Sequence, residues 1–154
     1  MGLLLFIIIM IGCLLFFSSN KSLKYLPGGP GKTAKILVEL YLKLKNDPSN
    51  SRKRKSTILK EIIKNRIEVN KRIDPNNHIC DWDNSDINRL VKTSLEQVVW
   101  AIWCKENALK LLRLQMAGKQ GTIDNAMNVI FEVCHELVPD DDKGQKKYMS
   151  KKYF

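Results

Sequence analysis

From Val98 to Cys104 every residue is apolar: Val98, Val99, Trp100, Ala101, Ile102, Trp103 and Cys104. Seven residues make about two turns of α-helix, so this apolar surface runs all the way round. A helix with one apolar stripe lies on a core, whereas a helix apolar all round is buried or meets lipid. Charges return on both sides, with Arg89, Lys92 and Glu96 before and Lys105, Glu106, Lys110 and Arg113 after. That excludes a membrane span here and predicts the central helix of a bundle, over residues 85–117. Asp83 or Ser85 is placed to cap its start, and Gly118 to close its end as the residue beyond the C-cap.

Three other segments carry helical spacing. In 33–45 the apolar set is Ile36, Leu37, Leu40, Tyr41 and Leu44, with Glu39 and Lys43 as an i,i+4 pair. Asn46-Asp47-Pro48 ends it, because the residue before proline avoids helical geometry. Ser49 or Ser51 can cap a second helix, 51–73, with Ile58, Leu59, Ile62, Ile63, Ile67, Val69 and Ile73 on its apolar side. Thr122 is placed to cap the last, 122–138, whose stripe is Ile123, Ala126, Met127, Ile130, Phe131, Cys134, Leu137 and Val138. No strand-period alternation of useful length occurs. The expectation is an all-α fold: a small four-helix bundle-like domain preceded by an N-terminal hydrophobic anchor helix. Trp100, Trp103, Ile130 and Phe131 are its expected core.

Leu3 to Phe17 is apolar apart from Gly12. At about 1.5 Å per residue, Met1–Phe17 reaches roughly 25 Å, the short end for a bilayer crossing. A cleaved secretory signal wants a basic start and small residues before the cut. Here no Lys or Arg precedes the run, and Phe16 and Phe17 occupy the cut region. An uncleaved anchor fits better. Lys21 and Lys24 on its C-terminal side put the domain in the cytoplasm by the positive-inside tendency. The alternative is a secreted helical effector. The organisation read from the sequence is an anchor or uncleaved signal at 1–20, a Gly/Pro hinge at 21–32, a helical domain at 33–138 and a charged tail at 139–154.

The net charge of +10 is unevenly placed. Residues 21–73 hold 15 Lys/Arg against 4 Asp/Glu, and the remainder is nearly balanced. One basic face is therefore expected rather than a generally basic protein. Its candidate residues are Arg52, Lys53, Arg54, Lys55, Lys60, Lys64, Lys71 and Arg72. Cations in the first turn of the second helix oppose its dipole, so that turn is expected to fray without an anionic partner. The tail adds Lys146-Lys147-Tyr148 and Lys151-Lys152-Tyr153. An anionic membrane surface or an acidic protein fits such a face. Nucleic acid also fits, but residues 50–73 contain no aromatic to stack on bases.

Signatures of chemistry are weak. Gly31-Lys32-Thr33 resembles the end of a phosphate-binding loop, but Leu26 stands where the first glycine is required, and no buried strand precedes it. Cys13, Cys80, Cys104 and Cys134 contain no Cys-x-x-Cys. A hairpin turning near 119–120 would level Cys104 with Cys134 and Trp103 with His135. The two thiols are then expected to be reduced and buried, as small hydrophobes in a reducing compartment. Glu132 and Glu136 flank a stripe and are read as solvated. Trp100 and Trp103 could frame a ligand, but in so apolar a context they read as core anchors. No nucleophile, acid–base pair, metal site, cofactor or small-molecule substrate is indicated. The expected function is that of a non-catalytic, membrane-associated helical interaction or adaptor protein, with a nucleic-acid-binding helical module as the alternative.

Overall fold

The computed structural model describes residues 28–139. The anchor and tail expectations lie outside those residues, as does Cys13. The described chain is all-helical, with six α-helices instead of the four expected: α1 Pro30–Asn46, α2 Lys55–Ile73, α3 Asn84–Leu90, α4 Leu95–Glu106, α5 Ala108–Met116 and α6 Gln120–Leu137. Short 3-10 turns occupy Pro48–Asn50 and His78–Asp81. No strand occurs among the described residues, and none of their helices is long and apolar enough to cross a membrane.

The stretch 85–117 is three helices. Two local signals break it. At the first, Thr93 Oγ1 donates to the Leu90 carbonyl at 2.7 Å, and the Ser94 hydroxyl accepts from the Gln97 amide at 3.3 Å. Ser94 thus caps a new helix, a choice its extended backbone permits. At the second, the Asn107 side-chain amide and backbone amide both donate to the Trp103 carbonyl, at 2.9 and 3.0 Å. Asn107 takes a non-helical φ of −114° and turns the chain there. The outer ends follow the sequence reading. Asp83 and Asp86 form a reciprocal capping box at the start of α3. Gly118, at φ +68°, closes α5. There the Gly118 amide donates to the Gln115 carbonyl and the Lys119 amide to the Leu114 carbonyl, the Schellman pattern.

Other boundaries move by a few residues. Pro30 sits in the first turn of α1, where its fixed φ suits a helix and its missing N–H costs nothing. Gly31 and Thr33 are already buried, so this part of the Gly/Pro segment is helix and not loop. The buried stripe of α1 is Ala34, Leu37, Val38 and Tyr41, while Ile36 stays 41% exposed. At α2, neither Ser49 nor Ser51 caps. Ser49 donates to the Asp47 carboxylate through its amide and hydroxyl, at 2.9 and 2.8 Å, holding that carboxyl below its usual range. The helix starts only at Lys55, with no side-chain cap from Arg54, as expected where cations face the positive helix end. Thr122 lies inside α6, which begins two residues earlier without a side-chain cap.

The core sits where α1 and α6 make their most extensive contact, with α4 and α2 closing it and the turn at His78–Asp81 wedged against α2 and α4. Leu37, Leu59, Ile62, Ile63, Val98, Val99, Ile102 and Ile130 are essentially inaccessible. Trp103 is 2% exposed, and Trp100 stacks on it at 5.6 Å between ring centroids and 22° between planes. The apolar belt of α4 is nevertheless only partly enclosed. Trp100, Ala101 and Cys104 are half-buried, as is Phe131 on α6.

A basic stripe and an open apolar groove

The eight basic residues do not converge on one patch. Arg52, Lys53, Arg54 and Lys55 are exposed at the leading end of α2. Lys60, Lys64 and Lys71 fall at spacings that share one side of the helix. Lys71 stands roughly 24 Å along the axis from Lys55, at about 1.5 Å per residue. Arg72 lies a quarter-turn round from Lys71. The result is a stripe along α2 with a cationic head. Part of it is engaged within the chain. Lys53 Nζ lies 2.6 Å from Glu61, Lys71 Nζ 3.3 Å from Glu68, and Lys60 Nζ donates to Asn88 at 3.0 Å. Arg52, Arg54, Lys64 and Arg72 are exposed and form no ion pair among the described residues.

One cation on α2 behaves differently. Arg66 falls four residues after Ile62 and three after Ile63, on the core-facing side. It meets Glu106, the last residue of α4, in a two-pronged pair: Nε to Oε1 at 2.5 Å and Nη2 to Oε2 at 2.9 Å. The side chains are only 19% and 12% exposed. Asn77 Nδ2 donates to the Glu106 carbonyl at 3.2 Å, fastening the loop before the second 3-10 turn to the same point. In the sequence Arg66 is one of the 15 Lys and Arg residues of 21–73, and Glu106 one of the charges that follow the apolar run. The available signal was a charge standing on an apolar stripe, which requires a partner.

Beyond Glu106 the surface turns apolar. No residue of α5 is buried, and Leu109, Leu112 and Met116 are 59%, 52% and 80% exposed. Leu112 and its neighbours Ala108 and Leu111 form one wall of an open groove of about 560 Å³. Trp82, Trp100 and Ile123 supply the other walls, from the loop before α3, from α4 and from α6. Trp100 in that wall stacks on the buried Trp103 ring. Cys104 also lines the groove, and burial pushes its thiol up to about 12.

Chemical groups are scattered. Cys80, Cys104 and Cys134 are free thiols. His78 Nδ1 lies 3.5 Å from an Asp81 oxygen in an exposed turn. No group of three or more His, Cys, Asp or Glu residues disposed to hold a metal occurs among the described residues. The fold and these two surfaces define a class, an all-helical protein with a basic stripe and an apolar groove. Comparison with family models, curated proteins and solved structures finds no match to this chain.

Proposed function

We propose that this is a non-catalytic, membrane-associated interaction protein that meets an anionic lipid surface through the head of α2. The observation that carries the reading is the set of exposed cations without an ion partner, Arg52, Arg54, Lys64 and Arg72. Their charge is therefore not offset by a paired carboxylate, whereas that of Arg66 is met by Glu106. Arg52 and Arg54 precede a helix start with no side-chain cap, a position that an external anion would stabilise. The apolar run Leu3–Phe17 supplies the membrane tether in this reading, with the domain on the cytoplasmic side. Anionic leaflets attract basic residues by about 1 kcal/mol each near the surface, so the cationic head contributes a few kcal/mol together.

The test uses residues 28–154, which retain the whole described core. Binding is compared on neutral phosphatidylcholine vesicles and on vesicles with about a quarter phosphatidylserine, at roughly 0.15 M salt. The expected result is binding to the anionic vesicles alone, weakened when Arg52, Lys53, Arg54 and Lys55 are all changed to Ser. Low-salt binding to nucleic acid proves little, because phosphate attraction is generic. Tight nucleic-acid binding with no vesicle binding at the higher salt would replace this reading with the nucleic-acid one.

A further inference from the structure

We infer that the adjacent hydroxyls of Ser56 and Thr57 form a phosphorylation site for a protein kinase that selects basic residues before its target, and that phosphate there releases the head of α2 from an anionic membrane. The release rests on the lipid reading above, whereas the acceptor site stands on the sequence and surface of this segment.

Charge and access together single out this pair. Ser56 follows Arg52-Lys53-Arg54-Lys55 directly, and Thr57 is one position further on. Four successive cations complement a kinase cleft lined with carboxylates. Thr57 is exposed and Ser56 half-buried, and neither hydroxyl makes a hydrogen bond among the described residues. The other described hydroxyls lack one condition or the other. Thr33 is buried. Ser49, Thr93 and Ser94 are engaged in a turn or a cap. Ser51 and Ser85 have no Lys or Arg in the four positions before them, and Thr122 has only Lys119.

The backbone suits presentation of these hydroxyls. Residues 51–54 precede the helix, and Arg54 is extended at φ −69° and ψ 152°. The Thr57 and Ile58 amides donate to the Arg54 carbonyl at 3.0 and 3.2 Å, and no side chain caps the turn. Entry into a kinase cleft therefore opens one uncapped turn, while Ile58 and Leu59, both buried, keep the rest of α2 seated. In the transfer the hydroxyl oxygen bonds to the γ-phosphorus of ATP, the bond to the ADP oxygen breaks, and the hydroxyl proton is lost. One phosphate brings about −1.5 to −2 charges at pH 7, which offsets nearly half of the four cations before it. Its place is the first turn of a helix that has no acidic residue there, where negative charge is favourable. The modification thus removes attraction for lipid without loosening the fold. Basic clusters of roughly four to eight residues leave anionic leaflets by this electrostatic switch.

The experiment uses the full chain, phosphorylated in detergent and then placed in nanodiscs of phosphatidylcholine alone or with about a quarter phosphatidylserine. The probe is the catalytic subunit of cyclic-AMP-dependent protein kinase with Mg-ATP, and the control is casein kinase 2, which selects acidic surroundings. Mass spectrometry should find phosphate on Ser56 or Thr57 with the first kinase and none on this pair with the second. Ser56→Ala with Thr57→Ala should abolish it. Lipid contact is read from acetylation of Lys53 and Lys55 by a water-soluble N-hydroxysuccinimide ester. In the unmodified chain both should react roughly threefold or more slowly in the anionic discs than in the neutral ones. Phosphorylation should bring that ratio close to one, and the Ala variant treated with kinase should keep the protection. The phosphorylated chain should melt no lower than the parent; a lower melt would mean that phosphate acts by unfolding and would overturn the electrostatic release. No phosphate at the pair, under conditions that modify a peptide of residues 49–60, would overturn the acceptor site. Full phosphorylation with unchanged protection would overturn the release. Equal reaction of the unmodified chain in both discs would instead refute the lipid reading, and phosphate at the pair would then support the acceptor site by itself.

Discussion

Trp103 offers a quantitative check on the core, because two of its features act in opposite directions. Its ring is 2% exposed between α4 and the remaining core, so truncation to Ala removes a large buried group. Such changes cost about 3–5 kcal/mol. Its indole Nε1, however, is buried with no hydrogen-bond partner. An orphaned buried donor costs about 1–3 kcal/mol. Trp103→Phe removes that donor together with the equivalent of two ring carbons, which are worth roughly 0.8 kcal/mol each. The loss of about 1.5 kcal/mol is then matched by relief of a similar size. Trp103→Phe should therefore lie within about 1 kcal/mol of the parent, while Trp103→Ala is several kcal/mol worse. Urea unfolding followed by far-UV circular dichroism measures both, with the slope compared to confirm that only the midpoint moves. The reasoning fails if Phe costs nearly as much as Ala, for the indole N–H would then have a partner.

Two further outcomes concern the Arg66–Glu106 pair and Cys104. Breaking the Arg66–Glu106 pair from one side, by Arg66→Met or Glu106→Gln, should cost about 2–4 kcal/mol, slightly below the range for fully buried pairs because both ends keep some solvent. The double variant should recover part of that loss in a double-mutant cycle, and strict additivity would mean that the pair contributes nothing. At Cys104 burial raises the thiol to about 12, so its thiolate is scarce at pH 8 and alkylation by iodoacetamide should be slow in the native state and fast in urea. The folded value lies above the unfolded one, so this thiol favours the fold below about pH 9 and loses that effect as pH rises toward 12. Mass spectrometry of the trapped protein checks the alkylation, and rapid native labelling of Cys104 would contradict the burial argument.

What the sequence made legible is the helical class and most of the core stripe. Ile58, Leu59, Ile62, Ile63, Ile67, Ile123, Ala126, Ile130 and Cys134 repeat at helical spacing and are buried. Gly118 and Asp83 announced their termini because each satisfies backbone groups by itself. The breaks at Ser94 and Asn107 were hidden by the apolar run they bracket. Hydrophobic period says which side is buried but nothing about whether the axis continues. Ser94-Leu95-Glu96-Gln97 did carry a capping pattern, and Glu96, read as a returning surface charge, is 5% exposed. It lies in the first turn of α4, where the helix dipole favours a carboxylate. Ile73 was counted on the apolar face yet is 79% exposed, because α2 ends there, at the edge of the packed region. The groove was not legible at all. It exists only because Asn107 turns α5 away from the line of α4.

That turn has a mechanical consequence. The Arg66 fork and the Asn77 amide hold the end of α4 firmly, and Gly118 begins the next corner. Between them α5 is spanned like a short bridge deck between two fixed piers. Opening free energy within a protein follows local buried contact, and α5 has no buried residue of its own. It can lift or resettle while the packing around Trp103 and Ile130 stays intact. Conformational adjustment is thereby confined to one wall of the groove, and the opposite wall at Trp100 stays fixed against the core.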